Sequence, residues 1–162
     1  MREPTSTEKG AIAESAITAC AIRLGIVVLR PVVEGRRYDL LFDFDHHLLR
    51  VQCKWGNVKD GVVAAHIGTC RHTPRGYVRT TYSSAEVDWI AIYADRIDEV
   101  FVVPIAEVEG QHHVRLRLEP SRNNQAMGVK WAEQYRLGAV AQLEERRHGM
   151  AEARGSSPLS ST

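Results

Sequence analysis

The stretch "RRYDLLFDFDHHLLRVQCKWG" (residues 36–56) reads as two β-strands folded back on each other around Asp45–His47. Each strand carries polar groups where a buried strand is ordinarily apolar: Asp39 and Asp43 in the first, Gln52 and Lys54 in the second. Side chains alternate faces along a strand, so Gln52 and Lys54 point the same way, roughly 6–7 Å apart. Val51, Cys53 and Trp55 take the opposite face and can pack on a core. In the first strand Asp39 goes with Leu41 and Asp43, while Leu40, Phe42 and Phe44 take the other face. For Asp39 to share a face with Gln52 and Lys54 it must pair near one of them, not with Cys53. A one-residue slip would turn it to the wrong side. The hairpin therefore needs a two-residue loop, or a bulge with the same effect.

Upstream, residues 5–24 have helical spacing. Thr5 and Glu8 stand as a capping box, Ala13, Ile17, Cys20 and Leu24 recur on one stripe, and Gly25 is a natural stop. Glu14 lies on the flank of that stripe, where it can reach past the packing interface to a sheet face. Glu14, Asp39, Gln52 and Lys54 together make chemical sense. Two carboxylates and an amide oxygen, helped by the carbonyl of Cys53, are the hard oxygen ligands that Mg²⁺ prefers. A lysine ammonium beside such an ion can orient an attacking water or neutralise charge on a scissile phosphate. By spacing alone, the same residues also describe a surface salt-bridge patch.

The rest of the chain surrounds this unit with short elements. "IVVLRPVV" (26–33) has strand composition, with Pro31 marking an edge, and "GVVAAHIGTC" (61–70) is β-rich. "RHTPRGYVRTTYSS" (71–84) has no clear period and reads as a loop. "VDWIAIYA" (87–94), "EVFVVPI" (99–105) and "HHVRLRLE" (112–119) read as strands, and "RNNQAMGVKWAEQYRL" (122–137) as a loop running into a short helix. One helix, a run of strands and then mixed elements imply an α/β or α+β fold with antiparallel hairpins at its heart.

With 162 residues, 44% hydrophobic and 25% charged, the chain suits one ordinary domain. No run is long enough to cross a membrane, and "MREPTSTEKG" lacks the apolar stretch of an export signal. Three widely spaced cysteines, Cys20, Cys53 and Cys70, read as free thiols in a reducing cytoplasm. A net charge of +1 advertises no polyanion partner globally, so any nucleic-acid surface must be local.

"KGAIAESAI" with Glu14, "RYDLLFD" with Asp39 and "LLRVQCKWG" with Gln52 and Lys54 resemble the PD-(D/E)XK nuclease superfamily. They look most like its branch of group I intron homing endonucleases, in which glutamine replaces the acid of the second half-motif. "YSSAEVDWIAIY", "VFVVPIAEV" and "RNNQAMGVKWAEQYRL" extend the likeness over about residues 8–137. The resemblance implies a restriction-endonuclease-like α/β core, a mixed central sheet with flanking helices, in a domain of residues 1–137. It implies hydrolysis of phosphodiesters in double-stranded DNA with Mg²⁺, for which Mn²⁺ would substitute, by a homodimer or homotetramer in the cytoplasm, nucleoid-associated when bound to DNA. Carried over, Glu14 and Asp39 would bind metal, Gln52 with the Cys53 carbonyl would complete the site, and Lys54 would assist the water. A junction-cleaving resolvase would use the same chemistry, and an inactive DNA-binding module could keep the same fold.

For holding DNA, Arg71, Arg75, Tyr77 and Arg79 put cations and an aromatic on one segment, and Arg36 and Arg37 stand just ahead of Asp39. Tyr82 and the cluster Arg122–Gln125 are further candidates, a solvated loop and a helix cap being the bland accounts. The pairs His46-His47 and His112-His113 read as turn or surface histidines, because neighbours on a strand face opposite ways and cannot easily chelate one ion.

Residues 138–162, "GAVAQLEERRHGMAEARGSSPLSST", change character and read as a poorly ordered tail, with an amphipathic helix over 139–147 as one alternative. They also resemble the conceptual translation of a transfer-RNA gene. Arg154–Leu159 can be written AGG-GGT-TCG-AGT-CCC-CTC, which contains the T-arm sequence GGTTCGAGTCC, and His148–Met150 fits an alanine anticodon loop.

Overall fold

The computed structural model describes residues 2–33, 35–45, 47–120 and 128–155. Helix α1 (Ser6–Arg23) starts where its cap dictates. The Thr5 hydroxyl accepts from the Glu8 N–H at 3.3 Å, and the Glu8 carboxylate accepts from the Thr5 N–H at 2.8 Å. The chain leaves the helix at Gly25, whose φ of +81° suits only a residue without Cβ. Its buried stripe is Ala13, Ile17 and Ala21. Sequence spacing placed Cys20 and Leu24 on that stripe, but Cys20 is only partly buried and Leu24 is exposed.

Strands β1 (Val27–Leu29), β2 (Leu40–Asp43), β3 (Leu48–Lys59) and β4 (Val62–His66) follow as antiparallel neighbours, β1 pairing only with β2 as an edge. Beyond β5 (Thr69–Thr73) and β6 (Gly76–Thr80) come β7 (Trp89–Ala94), β8 (Glu99–Pro104) and β9 (His113–Arg117). Strand β7 lies parallel to β3 and antiparallel to β8, and β9 closes the far side against β4. The outcome is a mixed sheet of seven strands among the described residues, with β5 and β6 forming a separate ribbon.

Alternation divides the core in two. Val51 and Cys53 of β3 and Ala91 and Tyr93 of β7 face α1, together with Leu40, Phe42 and Val102. The other face carries Ile90, Ile92, Phe101 and Val103, covered by Val63, Ala65, Val114 and Leu116 from the curled β4–β9 end. Helix α2 (Leu137–Gly155) follows a 3₁₀ turn at Ala132–Tyr135 and buries Leu137 and Ala141 in the α1 cluster.

Three readings change. Residues 71–84 are not a loop over their first half. They belong to the β5–β6 hairpin, which turns at Pro74-Arg75. The strand read at 61–70 breaks at Ile67-Gly68, whose N–H groups both donate to His112 O, at 2.8 and 3.3 Å. Of the readings of 138–162, the amphipathic helix is the one present in place of a poorly ordered tail, longer than the expected 139–147: it runs from 137 to 155 and starts inside the core. Residues 156–162 lie outside the described residues, as do 122–125.

One crossing is particularly tight. A Cβ at Gly56 would stand 2.7 Å from Ile92 Cγ2, 3.0 Å from Val63 Cγ1 and 3.3 Å from Tyr93 O. Gly56→Ala is expected to lower unfolding stability by about 1–3 kcal/mol through overpacking. Urea denaturation of both proteins checks this, and equal midpoints with equal slopes would contradict the close approach.

Candidate active site

Strand β3 has different partners along its length. It pairs with β2 over Leu48–Val51 and with β4 over Asn57–Lys59, while over Gln52–Gly56 its ladder partner among the described residues is β7. A strand has two edges, so one edge of Gln52–Gly56 is left open. An open edge presents backbone N–H and C=O groups that need partners. Asp39 supplies one: its carboxylate Oδ2 accepts from the Cys53 N–H at 2.8 Å.

The hairpin register puts Asp39 there. Leu40 stands opposite Val51 and Asp43 opposite Leu48, and Phe44 N donates to His47 O at 3.1 Å, leaving two residues in the loop. Asp45 in that loop has φ +61°. Asp39 N also donates to Val51 O at 2.9 Å, so Asp39 and Leu40 both face Val51, the arrangement of a β-bulge. The sequence required a two-residue loop or an equivalent bulge; the loop is present, and the bulge is an addition that brings Asp39 beside Val51 and Cys53.

Gln52 is the one buried polar side chain among the described residues, at 8% exposure. Its Nε2 donates both to Asp39 Oδ2 and, at 3.3 Å, to the main-chain oxygen of Cys53. The Asp39 carboxylate and the Cys53 carbonyl therefore converge on one point. Glu14 approaches from α1, its carboxylate 3.5 Å from Arg30. Burial, and then the charge of Asp39, push the Glu14 carboxyl above its ordinary value, with Arg30 opposing. Burial also pushes Asp39 up, against the pull of the Cys53 N–H, Lys54, Arg30 and Gln52. A carboxylate that disfavours the charge of a second one, with an amide and a carbonyl beside it, fits a hard divalent cation. Among the described residues no three His, Cys, Asp or Glu side chains stand together as a metal cluster, so the amide and carbonyl oxygens would have to complete the set.

Lys54 lies on the same face of β3 as Gln52. Its Nζ donates to the Tyr82 hydroxyl at 3.2 Å and sits 5.1 Å from the Tyr82 ring centre. Burial lowers its pKa, and the nearby Asp39 opposes that shift. Tyr82 is itself buried, which pushes its phenol up to about 12.

An acid on a helix, an acid at the start of a hairpin and a Gln-x-Lys on the next strand form the layout expected of one nuclease superfamily, and residues 5–138 match the family described as PD-(D/E)XK endonuclease. The chain belongs to this family. The PD-(D/E)XK fold is also that of a bacterial homing endonuclease, I-Ssp6803I, whose structure superposes with a TM-score of 0.73 at 24% identity, over 92% of this chain and 99% of that one. A search of curated proteins finds no match.

On this PD-(D/E)XK frame the residues expected to hold DNA scatter. Arg36 is exposed beside the site. Arg37 is instead built into the protein: its guanidinium donates to Glu86 at 2.9 Å, to Thr81 O at 2.8 Å and to Thr69 Oγ1 at 3.3 Å, and lies 4.4 Å from the Tyr82 ring. Arg71 stands opposite Val78 in the β5–β6 ladder, Arg75 is exposed in the turn, and Tyr77 (75%) and Arg79 are exposed on β6. His47 lies 3.1 Å from Glu144 and stacks on Phe44, away from the site. Tyr82 is the functional candidate that sequence reasoning undervalued. It stood in a stretch read as loop, with no alternation to show that it is buried.

Arg37→Ala is therefore expected to cost roughly 1–3 kcal/mol of stability, the range for hydrogen bonds to a partly buried charge, with Arg37→Lys recovering only part of it. Thermal and urea unfolding check this. Full stability combined with weaker DNA binding would instead make Arg37 a phosphate contact.

Proposed function

We propose that this chain is a divalent-metal-dependent DNA endonuclease of the homing-endonuclease kind. It hydrolyses phosphodiester bonds in double-stranded DNA, with Mg²⁺ as the working ion and Mn²⁺ as a substitute. The observation that carries the reading is that Asp39 Oδ2 and Cys53 O both accept from Gln52 Nε2, which brings the two oxygens together, with Lys54 on the same strand face and Glu14 near enough to feel the charge of Asp39. The fold shared with I-Ssp6803I supports the homing-endonuclease type.

In this reading Glu14 and Asp39 hold the ion, and Gln52 and the Cys53 carbonyl complete its oxygen shell. A bound divalent ion supplies a Lewis acid at the phosphate and lowers the pKa of a coordinated water. Lys54, pinned by Tyr82, sets a positive charge beside Asp39 that orients the attacking water or offsets charge on the phosphate. The fully exposed β6 strand makes the β5–β6 ribbon suited to a DNA groove, since a two-stranded ribbon fits the major groove. The β1 edge, with Val27, Leu29, Val32 and Val33 exposed, is the natural surface for a homodimer or homotetramer. The protein would work in the cytoplasm, where the nucleoid is.

A plasmid-nicking assay tests the proposal. Wild type should nick supercoiled DNA with Mg²⁺ and stop with EDTA. Lys54→Ala and Asp39→Asn should each slow nicking by about 10²–10³-fold, the range for losing a preorganised charge-stabilising group. Nicking unaffected by EDTA, or by Lys54→Ala, would defeat it. Preference for four-way junctions over linear duplex would point to a resolvase, and binding without nicking to an inactive module.

A further inference from the structure

The outer face of the β3–β4–β9 end is shaped and charged in a way the catalytic patch does not require. On β9, Val114 and Leu116 turn inward and are buried, so His113, Arg115 and Arg117 turn outward. The register sets Arg117 beside Val62 and Lys59, and Arg115 beside Ala64 and Asn57. Short side chains on the middle strand form a floor, and long cationic ones on the outer strands form walls. The resulting cleft has a volume of ≈ 870 Å³.

The charge of this cleft is one-sided. Lys59, Arg115 and Arg117 make no ion pair among the described residues, whereas Lys130 at the rim is taken by Glu107 at 2.6 Å. Asp60 is the one carboxylate among the described lining residues. In a chain of net +1, a stripe of cations left uncompensated repels itself, and an anion lying along it removes that repulsion.

His113 is among the residues that line the cleft. Its ring packs edge-on against His66, 4.9 Å between centres. Burial, and then His113, hold the His66 imidazole below its ordinary value. Gly68 makes room for the junction: a Cβ there would be 2.7 Å from His112 Nδ1 and 3.2 Å from His66 Cε1.

We propose that this β3–β4–β9 cleft is a second DNA-backbone subsite, which seats phosphates of the duplex to one side of the scissile bond. The inference rests on the nuclease reading and extends it to residues outside the catalytic set. His113 to Arg117 spans about 13 Å, roughly four base-pair steps. The occupant is a phosphate backbone because the walls offer charge on both sides and the floor offers only small apolar groups.

The test is the salt dependence of binding to a random-sequence labelled duplex in EDTA, so that no recognition site is needed. Each lost phosphate contact should flatten the slope of log K against log[salt] by about 0.9. Arg115→Ala with Arg117→Ala should therefore flatten it by about 1.8, converging on wild type at high salt and weakening binding roughly 60-fold at one-tenth of that salt concentration. Lys59→Ala, on the opposite wall, should flatten it by about 0.9. Unchanged melting temperatures should accompany both. Unchanged slopes, no measurable binding by wild type, or loss of an oligomer in light scattering, which would mean that the cleft seats a second copy, would each overturn the subsite. Nicking by wild type with unchanged slopes removes the subsite alone. Flattened slopes without nicking remove the nuclease reading and keep the subsite.

Discussion

The bond from the Cys53 N–H to the Asp39 carboxylate closes a gap that the sheet itself creates. Strand β3 is handed from β2 to β4, and the stretch between them keeps β7 on one edge only. A half-open strand in a protein interior would leave donors without acceptors, at a cost of several kcal/mol for each group deprived of both water and a partner. Asp39 meets that need with a side chain, and a side chain can also turn outward. The gap thus becomes a place where a carboxylate, an amide and a carbonyl meet at a strand edge instead of being consumed by the ladder. Moving the hairpin register by one residue would send Asp39 away from Cys53 and leave the edge unmet.

The wall opposite the gap is fixed from the same short segment. Arg37, two residues before Asp39, ties together Glu86, Thr81 and Thr69 and lies on the ring of Tyr82. Tyr82 in turn receives Lys54. Residues 37–39 therefore position both the carboxylate and, through Tyr82, the lysine. The β5–β6 ribbon is held at its foot by the same arginine through Thr69.

The part of this design that depends on alternation was legible in the sequence. The faces of Val51, Cys53, Gln52 and Lys54, the two-residue loop that sets the face of Asp39 and the cap at Thr5 all follow from periods of two or from local hydrogen-bond chemistry, and the structure contains each of them, while the sequence admits the bulge at Asp39 only as a substitute for the loop. The ribbon was not legible because every residue of β6 is exposed, so no buried face imprints a period on it. Arg37 was misleading for a related reason: a guanidinium aimed at phosphate and one aimed at a distant glutamate look identical until the chain brings Glu86 near. The outer cleft was hidden too. "HHVRLRLE" announces a strand, but the sequence does not say that its outward cations face Lys59 across a strand of small residues.

Gln52 has a physical reason to be neutral. Its amide is buried and donates at once to Asp39 Oδ2 and to Cys53 O, so both oxygens have a partner in the metal-free chain. A carboxylate in its place would bring a third negative charge against Asp39 and Glu14, whose acidities are already displaced by burial and, for Glu14, by the neighbouring acid. It would also offer no N–H: Asp39 Oδ2 would keep only the Cys53 N–H, Cys53 O would lose its side-chain partner, and that cost together with a buried like charge would fall on folding itself. With the amide, the hairpin can fold before any cation arrives. The arrangement separates the stability of the hairpin from the occupancy of the site, because the same oxygens that an ion would take are held meanwhile by one side chain.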